Sequence, residues 1–148
     1  MEKPIIRVRK LKSHAALPEY GSAGAAGADL RACIEEERAI GPGETVMIPT
    51  GLALEIPPGY VGLVCARSGL STKRGLAPAN KVGVIDSDYR GEVFVPLHNH
   101  SGEEQAIAAG ERIAQLLIVP VLACAFVESA NLDETQRSEG GFGSTGRL

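Results

Sequence analysis

Residues 41–65, GPGETVMIPTGLALEIPPGYVGLVC, alternate short apolar runs with turns that are rich in glycine and proline. The apolar runs are Thr45–Ile48, Leu52–Ile56 and Tyr60–Cys65, and the turns are Gly41–Glu44 and Pro57–Gly59. Runs of this length between such turns are typical of β-strands, and they are too short for helices of ordinary length. The stretch therefore predicts an all-β fold.

The same alternation continues on both sides of this stretch. Further strands are predicted at Pro4–Val8, Asp29–Ile34, Val82–Ile85, Glu92–Leu97, Gln105–Ala108, Ile113–Val119 and Ala125–Val127. One short helix is predicted, with Ser68 as its N-cap, Leu70–Arg74 as its body and Gly75 as its end. Together these elements predict a sandwich, jelly roll or barrel with one short helix.

Length and charge narrow the class of protein. The chain has 148 residues, which suits one domain, and its 15 basic and 18 acidic residues give a net charge of −3. No basic run suits a nucleic-acid backbone, and no apolar run is long enough to span a membrane. We therefore expect a soluble cytoplasmic protein with neither nucleic acid nor membrane as a partner. Cys33, Cys65 and Cys124 each lie in an apolar stretch, so buried free thiols are expected.

The composition also bears on assembly. Aromatic residues make up only 4% of the chain and tryptophan is absent, so a single sandwich would have a core of small aliphatic side chains. The run Ile113–Leu122 is apolar on both faces. Such a strand belongs either to the centre of a monomer or to an interface between subunits, and both readings stay open.

The first candidate site residues lie in the segment Val84–Val93, VIDSDYRGEV, where two apolar strand ends flank a polar turn. This pattern predicts a β-hairpin with Asp86 and Tyr89 near its tip. The carboxylate could accept a proton from water or bind a sugar hydroxyl, and the aromatic ring could pack against a sugar. Asp-Ser-Asp is also ordinary turn composition, so the turn alone does not decide between function and structure.

Three other positions could bind a ligand or a metal ion that accompanies it. Arg67 and Ser68 stand where the predicted helix begins, and free backbone N–H groups there favour phosphate; capping alone explains the serine but not the arginine. Asp29 follows a run of small residues and could hold a water of a hydrated magnesium ion, although a solvated turn residue is the alternative. Gln115 is polar within an apolar run and needs a partner.

The segment Gly141–Gly146 reads GFGSTG and matches the spacing G-x-G-x-x-G. A dinucleotide-binding loop must open a helix, and only Arg147 and Leu148 follow, so that interpretation fails. What remains is a tail that could close over an anionic ligand, or a disordered terminus without a role.

Taken in order along the chain, five segments resemble the five motifs of the trimeric dUTPase family. The segments are Ala26–Leu30, Ala66–Ser71, Asn80 with Gly83–Glu92, Gly110–Leu116 and Arg137–Gly146. The resemblance covers nearly the whole chain, with Ala28 and Glu111 as slight departures from the family pattern. It implies a jelly roll, or distorted β-barrel, that forms a homotrimer with intersubunit active sites and an exchanged C-terminal tail. The implied reaction is hydrolysis of dUTP to dUMP and pyrophosphate with Mg²⁺.

The resemblance also implies roles for single residues. Asp86 would position and deprotonate the attacking water and bind the 3′-hydroxyl, and Tyr89 would lie under the deoxyribose. Asn80 and the backbone of Gly83 and Val84 would bind uracil. The phosphates would be bound by Arg67, Ser68, Gly69 and Gln115. Asp29 would contact magnesium through water.

The tail completes this assignment. Phe142 would stack over uracil, and Arg137, Ser144 and Thr145 would bind the γ-phosphate of a neighbouring subunit's site. Gly143 would also bind the substrate. Residues 1–136 would then form the single β domain, and residues 137–148 a flexible glycine-rich lid.

Overall fold

The structure is a computed structural model that describes residues 3–142. Within this range eleven strands and one short helix form. In chain order they are β1 (Arg7–Lys10), β2 (Glu19–Tyr20), β3 (Ala28–Arg31), β4 (Arg38–Ile40), β5 (Thr45–Glu55), β6 (Tyr60–Cys65), α1 (Ser68–Arg74), β7 (Leu76–Pro78), β8 (Gly83–Ile85), β9 (Glu92–Asn99), β10 (Gln105–Ile107) and β11 (Arg112–Pro120). The predicted fold class, nearly all-β with one short helix, is confirmed. None of the described residues forms a helix long and apolar enough to cross a membrane.

The strands form two main sheets and one small one, and neighbouring strands in each are antiparallel. One sheet has the order β1-β5-β9-β7, the second has the order β2-β3-β11-β6-β8, and β10 pairs with β4. A single cluster of buried aliphatic side chains draws on both main sheets, with Leu52 and Leu97 from the first and Leu30 and Ile113 from the second. Burial of these alternating side chains is the main force that joins the sheets.

The central strand β5 differs from its prediction. Two strands were expected, Thr45–Ile48 and Leu52–Ile56, with Pro49-Thr50-Gly51 between them. The structure instead has one continuous strand whose register against β9 shifts between Pro49 and Ala53. The three residues form a bulge inside the strand, which is one of the places where glycine and proline occur in sheets. The short strands β2, β4 and β7 were not predicted, although β8 and β10, which have three residues each, were.

The strand predicted at Ala125–Val127 does not form in the described chain. The last strand ends at Pro120, and the Val121 N–H donates to the Gly59 carbonyl. From residue 122 to residue 142 the hydrogen bonds join only residues close in sequence. Phe126 is 98% exposed. A strand needs a neighbour for its backbone groups, and this segment has none among residues 3–142.

The predicted helix forms, but its N-cap is Arg67 and not Ser68. Arg67 has extended backbone angles, so the turn into the helix comes one residue earlier than expected, and Ser68 is the first helical residue. No side chain caps this end. The helix ends as predicted at Gly75, which has the left-handed conformation that glycine favours.

The three cysteines are free, but only one is fully buried. Cys33 lies in the core, Cys65 is half-buried and Cys124 is exposed. The expectation of burial is wrong for Cys124 because it lies beyond β11, in the segment that leaves the sheets. Burial raises the pKa of the Cys33 thiol, and the nearby negative charge of Glu92 raises that pKa further.

Candidate active site

The turn between β8 and β9 joins the two main sheets. A β-hairpin was predicted here, but β8 pairs with β6 in one sheet, whereas β9 pairs with β5 and β7 in the other. The prediction is wrong because each apolar flank finds its partner in a different sheet. The turn residues 86–91 therefore cross from one sheet to the other, and Asp86, Asp88, Tyr89 and Arg90 of this crossing turn are exposed.

An open pocket of about 300 Å³ lies against this crossing turn. It is lined by Met47, Val64, Asn80, Gly83, Val84, Ile85, Asp86, Tyr89, Glu92, Val93, Phe94 and Pro96. Five of the residues predicted for the site line the pocket, and all five lie within residues 80–89; Met47 and Val64 join them from two other parts of the sequence. An apolar lining with a few convergent polar groups is typical of a small-molecule site.

Within the pocket, Tyr89 is held by hydrogen bonds of its own turn. The Tyr89 N–H donates to the Asp86 carbonyl at 3.1 Å, and the Tyr89 hydroxyl donates to the Glu92 carbonyl at 2.9 Å. The ring lies directly over Gly91, where any Cβ would overlap the ring and its hydroxyl. Tyr89 is still 45% exposed, so one part of it faces the pocket opening. The Asp86 carboxylate at the start of the same turn is exposed as well.

The opposite wall of the pocket offers backbone groups. β8 is the last strand of its sheet, so one edge of Gly83–Ile85 pairs with β6 and its outer edge is free. Asn80 precedes it through a tight turn in which the Val82 N–H donates to the Asn80 carbonyl at 2.7 Å and Lys81 has a φ of 66°. Free N–H and C=O groups beside an amide side chain can read the donor and acceptor pattern of a planar base.

A second cluster is built on three neighbouring strands. In the register of the sheet, Gln115 of β11 lies opposite Asp29 of β3 on one side and opposite Cys65 of β6 on the other. Because β6 runs straight into α1, Arg67 comes to lie beside this row. The pairing of these three inner strands therefore brings together the predicted anion-binding residues, which are far apart in the sequence.

The centre of this cluster is the Asp29 carboxylate, whose side chain is only 14% exposed. Arg67 Nε donates to one of its oxygens at 2.7 Å, and Arg112 Nη1 donates to the other at 3.3 Å. Each carboxylate oxygen has two acceptor sites, so each can still accept a hydrogen bond from water. The carboxylate thus fits contact with a hydrated cation through water.

Gln115 has the partner that its position demanded. Its Nε2 donates to the Ala66 carbonyl at 2.8 Å, directly before Arg67. Its side chain packs so closely on Gly27 that a Cβ at residue 27 would overlap Gln115 Oε1. Within residues 3–142, no three histidine, cysteine, aspartate or glutamate side chains form a group able to bind a metal ion.

The two clusters remain separate in the single chain. Among the described residues, the pocket at the crossing turn has no lining residue from the group of Asp29, Arg67, Ser68, Gly69 and Gln115. Arg137 donates to the Gly140 carbonyl within its own turn, and the Phe142 side chain is fully exposed. Gly143, Ser144 and Thr145 lie outside the described residues.

Sequence reasoning missed four residues that shape these clusters. Gly27 and Gly91 provide the space for Gln115 and Tyr89, Arg112 binds Asp29, and Glu92 supplies the carbonyl that anchors Tyr89. Gly91 and Glu92 directly follow the turn, so adjacency was a usable signal for them. The roles of Gly27 and Arg112 depend on strand pairing that the sequence does not display.

Comparison with known proteins agrees with this geometry. The family model described as dUTPase matches residues 13–146. The deoxyuridine 5′-triphosphate nucleotidohydrolase of Desulfitobacterium hafniense strain DCB-2 is 53% identical over 143 residues, covering 96% of this chain and 94% of the relative. The same enzyme from Hydrogenobaculum sp. is 50% identical, covering 94% of this chain and 96% of the relative.

Solved structures give the same picture. A mutant of the Staphylococcus bacteriophage 80alpha dUTPase with dUpNHpp has a TM-score of 0.88 and 29% identity, covering 97% of this chain and 99% of that one. A mutant dUTPase of phage phi11 of S. aureus, described with a structural Mg(II) ion, has a TM-score of 0.78 and 29% identity, covering 86% and 97%.

The fold, the pocket and these similarities define a nucleotide hydrolase. More particularly, the chain belongs to the dUTPase family, whose activity is that of a dUTP diphosphatase.

Proposed function

We propose that this chain hydrolyses dUTP to dUMP and pyrophosphate by in-line attack of water at the α-phosphorus, with Asp86 orienting and deprotonating the water. The observation that carries the proposal is the pocket at the crossing turn, where an exposed Asp86 and an anchored Tyr89 face a free strand edge. A positioned carboxylate can accept the proton as the water attacks. The same carboxylate would bind the 3′-hydroxyl of the deoxyribose.

Selectivity for deoxyuridine would come from two walls of the pocket. Asn80 and the backbone of Gly83 and Val84 would pair with the uracil edge, and cytosine would present a donor where uracil presents an acceptor. The Tyr89 ring would pack beneath the deoxyribose, leaving no room for a 2′-hydroxyl. The fixed position of the ring over Gly91 supports this role, because a mobile ring could not exclude one extra oxygen.

The phosphates would bind at the second cluster, through Arg67, Ser68, Gly69 and Gln115. Asp29 would contact a hydrated Mg²⁺ through water, using the acceptor sites that Arg67 and Arg112 leave open on its carboxylate oxygens. When bound, the ion would neutralise charge on the phosphate oxygens. Arg67 would add a guanidinium to the same task, and its ion pair with Asp29 keeps it oriented before substrate arrives.

The separation of the two clusters supports a homotrimer with intersubunit active sites. A nucleoside pocket from one chain and a phosphate cluster from another would meet at the interface. The exposed segment after Pro120, with Leu122, Phe126 and Leu132 each about nine-tenths exposed, needs a covering surface, and a neighbouring subunit would supply it. We propose that residues 1–136 form the β domain and that residues 137–148 close over a neighbour's site as an exchanged lid.

In this lid, Phe142 would stack over uracil, Arg137, Ser144 and Thr145 would bind the γ-phosphate, and Gly143 would also bind the substrate. A lid that carries an arginine and backbone N–H groups would exclude water and neutralise the terminal phosphate together. The dUTP analogue in the phage 80alpha structure supports dUTP as the ligand of such a site. In the cell, the reaction would take place in the cytoplasm, limit uracil incorporation into DNA and supply dUMP for thymidylate synthesis.

Hydrolysis in ¹⁸O-labelled water tests the reaction itself. We expect Mg²⁺-dependent release of pyrophosphate from dUTP, with the label in dUMP, because attack at the α-phosphorus leaves the new oxygen on the nucleotide. UTP, dCTP and dTTP serve as comparison substrates, and ammonia release from dCTP would reveal a deaminase. Label found in pyrophosphate would place the attack on another phosphorus and contradict the mechanism.

Gly27→Ala tests the phosphate-binding role of Gln115. The added Cβ would overlap Gln115 Oε1, so the amide must turn away from its present position, and the strand must yield by a few tenths of an ångström at Gln115 Cβ, which would lie 3.0 Å away. The expected result is a rise of about tenfold in the KM for dUTP, the effect of losing one hydrogen bond to a charged group. Gly24→Ala is the matched control, since a Cβ there meets no atom within 4 Å. An unchanged KM in a folded Gly27→Ala protein would remove Gln115 from the site.

A further inference from the structure

The position of Tyr89 depends on where strand β9 begins. The acceptor for the Tyr89 hydroxyl is the main-chain carbonyl of Glu92, the first residue of β9, at 2.9 Å. Any shift of this carbonyl would carry the hydroxyl and the ring with it. What fixes Glu92 therefore also fixes the ring.

The start of β9 lies against the bulge of β5, where ordinary strand pairing is interrupted. Pro49 lies opposite Phe94 and Ala53 lies opposite Glu92, so β5 has two more residues than β9 between these pairs. Two side chains make the connections there. Thr50 Oγ1 donates to the Val93 carbonyl at 2.6 Å, and the Gly51 N–H donates to Glu92 Oε1 at 2.9 Å.

The Gly51 N–H has little freedom to find another partner. Gly51 is buried, has a φ of 68°, and leaves no room for a Cβ because Cys33 Sγ and Ala15 Cβ would lie within 3 Å of it. Its own carbonyl is bound by the Leu11 N–H at 2.7 Å. The bulge is thus held on three sides, and the Glu92 carboxylate attaches the start of β9 to this rigid point.

We propose that Glu92 is a positioning residue for sugar selection. Through the Gly51 N–H, its side chain fixes the backbone carbonyl that anchors the Tyr89 hydroxyl, and so fixes the ring that excludes a 2′-hydroxyl. This inference rests on the proposed role of Tyr89 under the deoxyribose. Glu92 lines the pocket, but its carboxylate is bound by the Gly51 N–H, and the proposal gives it no contact with substrate and no part in the chemical step.

The test compares kcat/KM for dUTP and for UTP in Glu92 variants. Glu92→Ala removes the acceptor, Glu92→Asp keeps the charge but withdraws the oxygen, and Glu92→Gln keeps an acceptor at the same place. We expect the dUTP-to-UTP ratio to fall about tenfold or more in the first two variants and to stay within about twofold of wild type in Glu92→Gln. Exchange of the Gly51 amide proton with solvent should accelerate in the same two variants.

A double-mutant cycle links Glu92 to Tyr89. Tyr89→Phe removes the anchored hydroxyl, and combining it with Glu92→Ala should lower the ratio no further than either change alone. If Glu92→Ala and Glu92→Asp lower both kcat/KM values equally and leave their ratio unchanged, the role is only structural and the proposal is wrong. A Gly51 amide that exchanges no faster in these variants would also overturn it.

Tyr89→Ala separates this inference from the proposed function. If Tyr89→Ala discriminates against UTP as strongly as wild type, the ring does not select the sugar, and the proposed role of Tyr89 fails together with this inference. If Tyr89→Ala loses discrimination while Glu92→Ala keeps it, only the role of Glu92 fails.

Discussion

Asp86→Asn is expected to lower the turnover of dUTP by at least about a hundredfold, in line with the contribution of a positioned general base. The amide has nearly the shape of the carboxylate and can still bind a hydroxyl, but it cannot accept a proton from the attacking water. Nucleotide affinity should therefore persist while kcat falls. Pyrophosphate release at saturating dUTP measures kcat, and calorimetric titration with dUpNHpp measures nucleotide affinity.

The crossing turn provides a matched control for this variant. Asp88 lies two residues further along the same turn and is exposed, but it does not line the pocket. Asp88→Asn changes the net charge by the same amount and should keep turnover within about twofold of wild type, as surface changes do. Near-normal turnover in Asp86→Asn would exclude Asp86 as the base. Equal losses of turnover in both variants would attribute the effect to the net charge of the turn, and this result would also contradict the role of Asp86.

Deletion of residues 137–148 is the second change with a large expected effect. The proposed lid contributes an aromatic ring, an arginine and backbone N–H groups to a bound nucleotide, and it has no long-range hydrogen bond in the described chain up to residue 142. Its loss should lower kcat/KM for dUTP about a hundredfold, because closure positions the phosphates and excludes water.

The same deletion should leave the fold intact. Among residues 3–142, the strands end at Pro120, well before the deleted residues, and the buried core includes none of residues 137–142. Thermal unfolding and molecular mass in solution should therefore match those of the full chain, apart from the missing residues. An unchanged kcat/KM in the protein that lacks residues 137–148 would show that the tail has no catalytic role.

The sequence predicted the parts of the site that are contiguous in the chain. Asp86 and Tyr89 fall within one turn between apolar strand ends, so their proximity needed no knowledge of tertiary structure. The turn itself was misread as a hairpin, because local alternation of apolar and polar residues cannot say which sheet each flank joins. The local pattern therefore could not predict the resulting pocket, which opens between the two sheets.

The second cluster shows the opposite limit. Asp29, Gln115 and Cys65 form a row only because β3, β11 and β6 are neighbours in one sheet, and this pairing brings together residues that are far apart in the chain. The family resemblance gathered the first two of them as motifs without giving their contacts. The bulge at Gly51 could not be predicted for a related reason. The residues that hold Gly51 in place, such as Glu92 and Cys33, lie on distant segments of the chain.

Within residues 3–142, the pocket at the crossing turn and the group of Asp29, Arg67 and Gln115 share no lining residue, so an active site that needs both requires a second chain. The most direct measurement mixes denatured Asp86→Asn subunits with equal amounts of tail-deleted subunits and refolds them together. If the lid and Asp86 of each site come from different chains, random trimers should recover about a quarter of wild-type activity, since half of the subunits carry each intact part. Hybrid trimers that form, as native mass spectrometry would establish, but stay as inactive as their parents would contradict the exchanged lid.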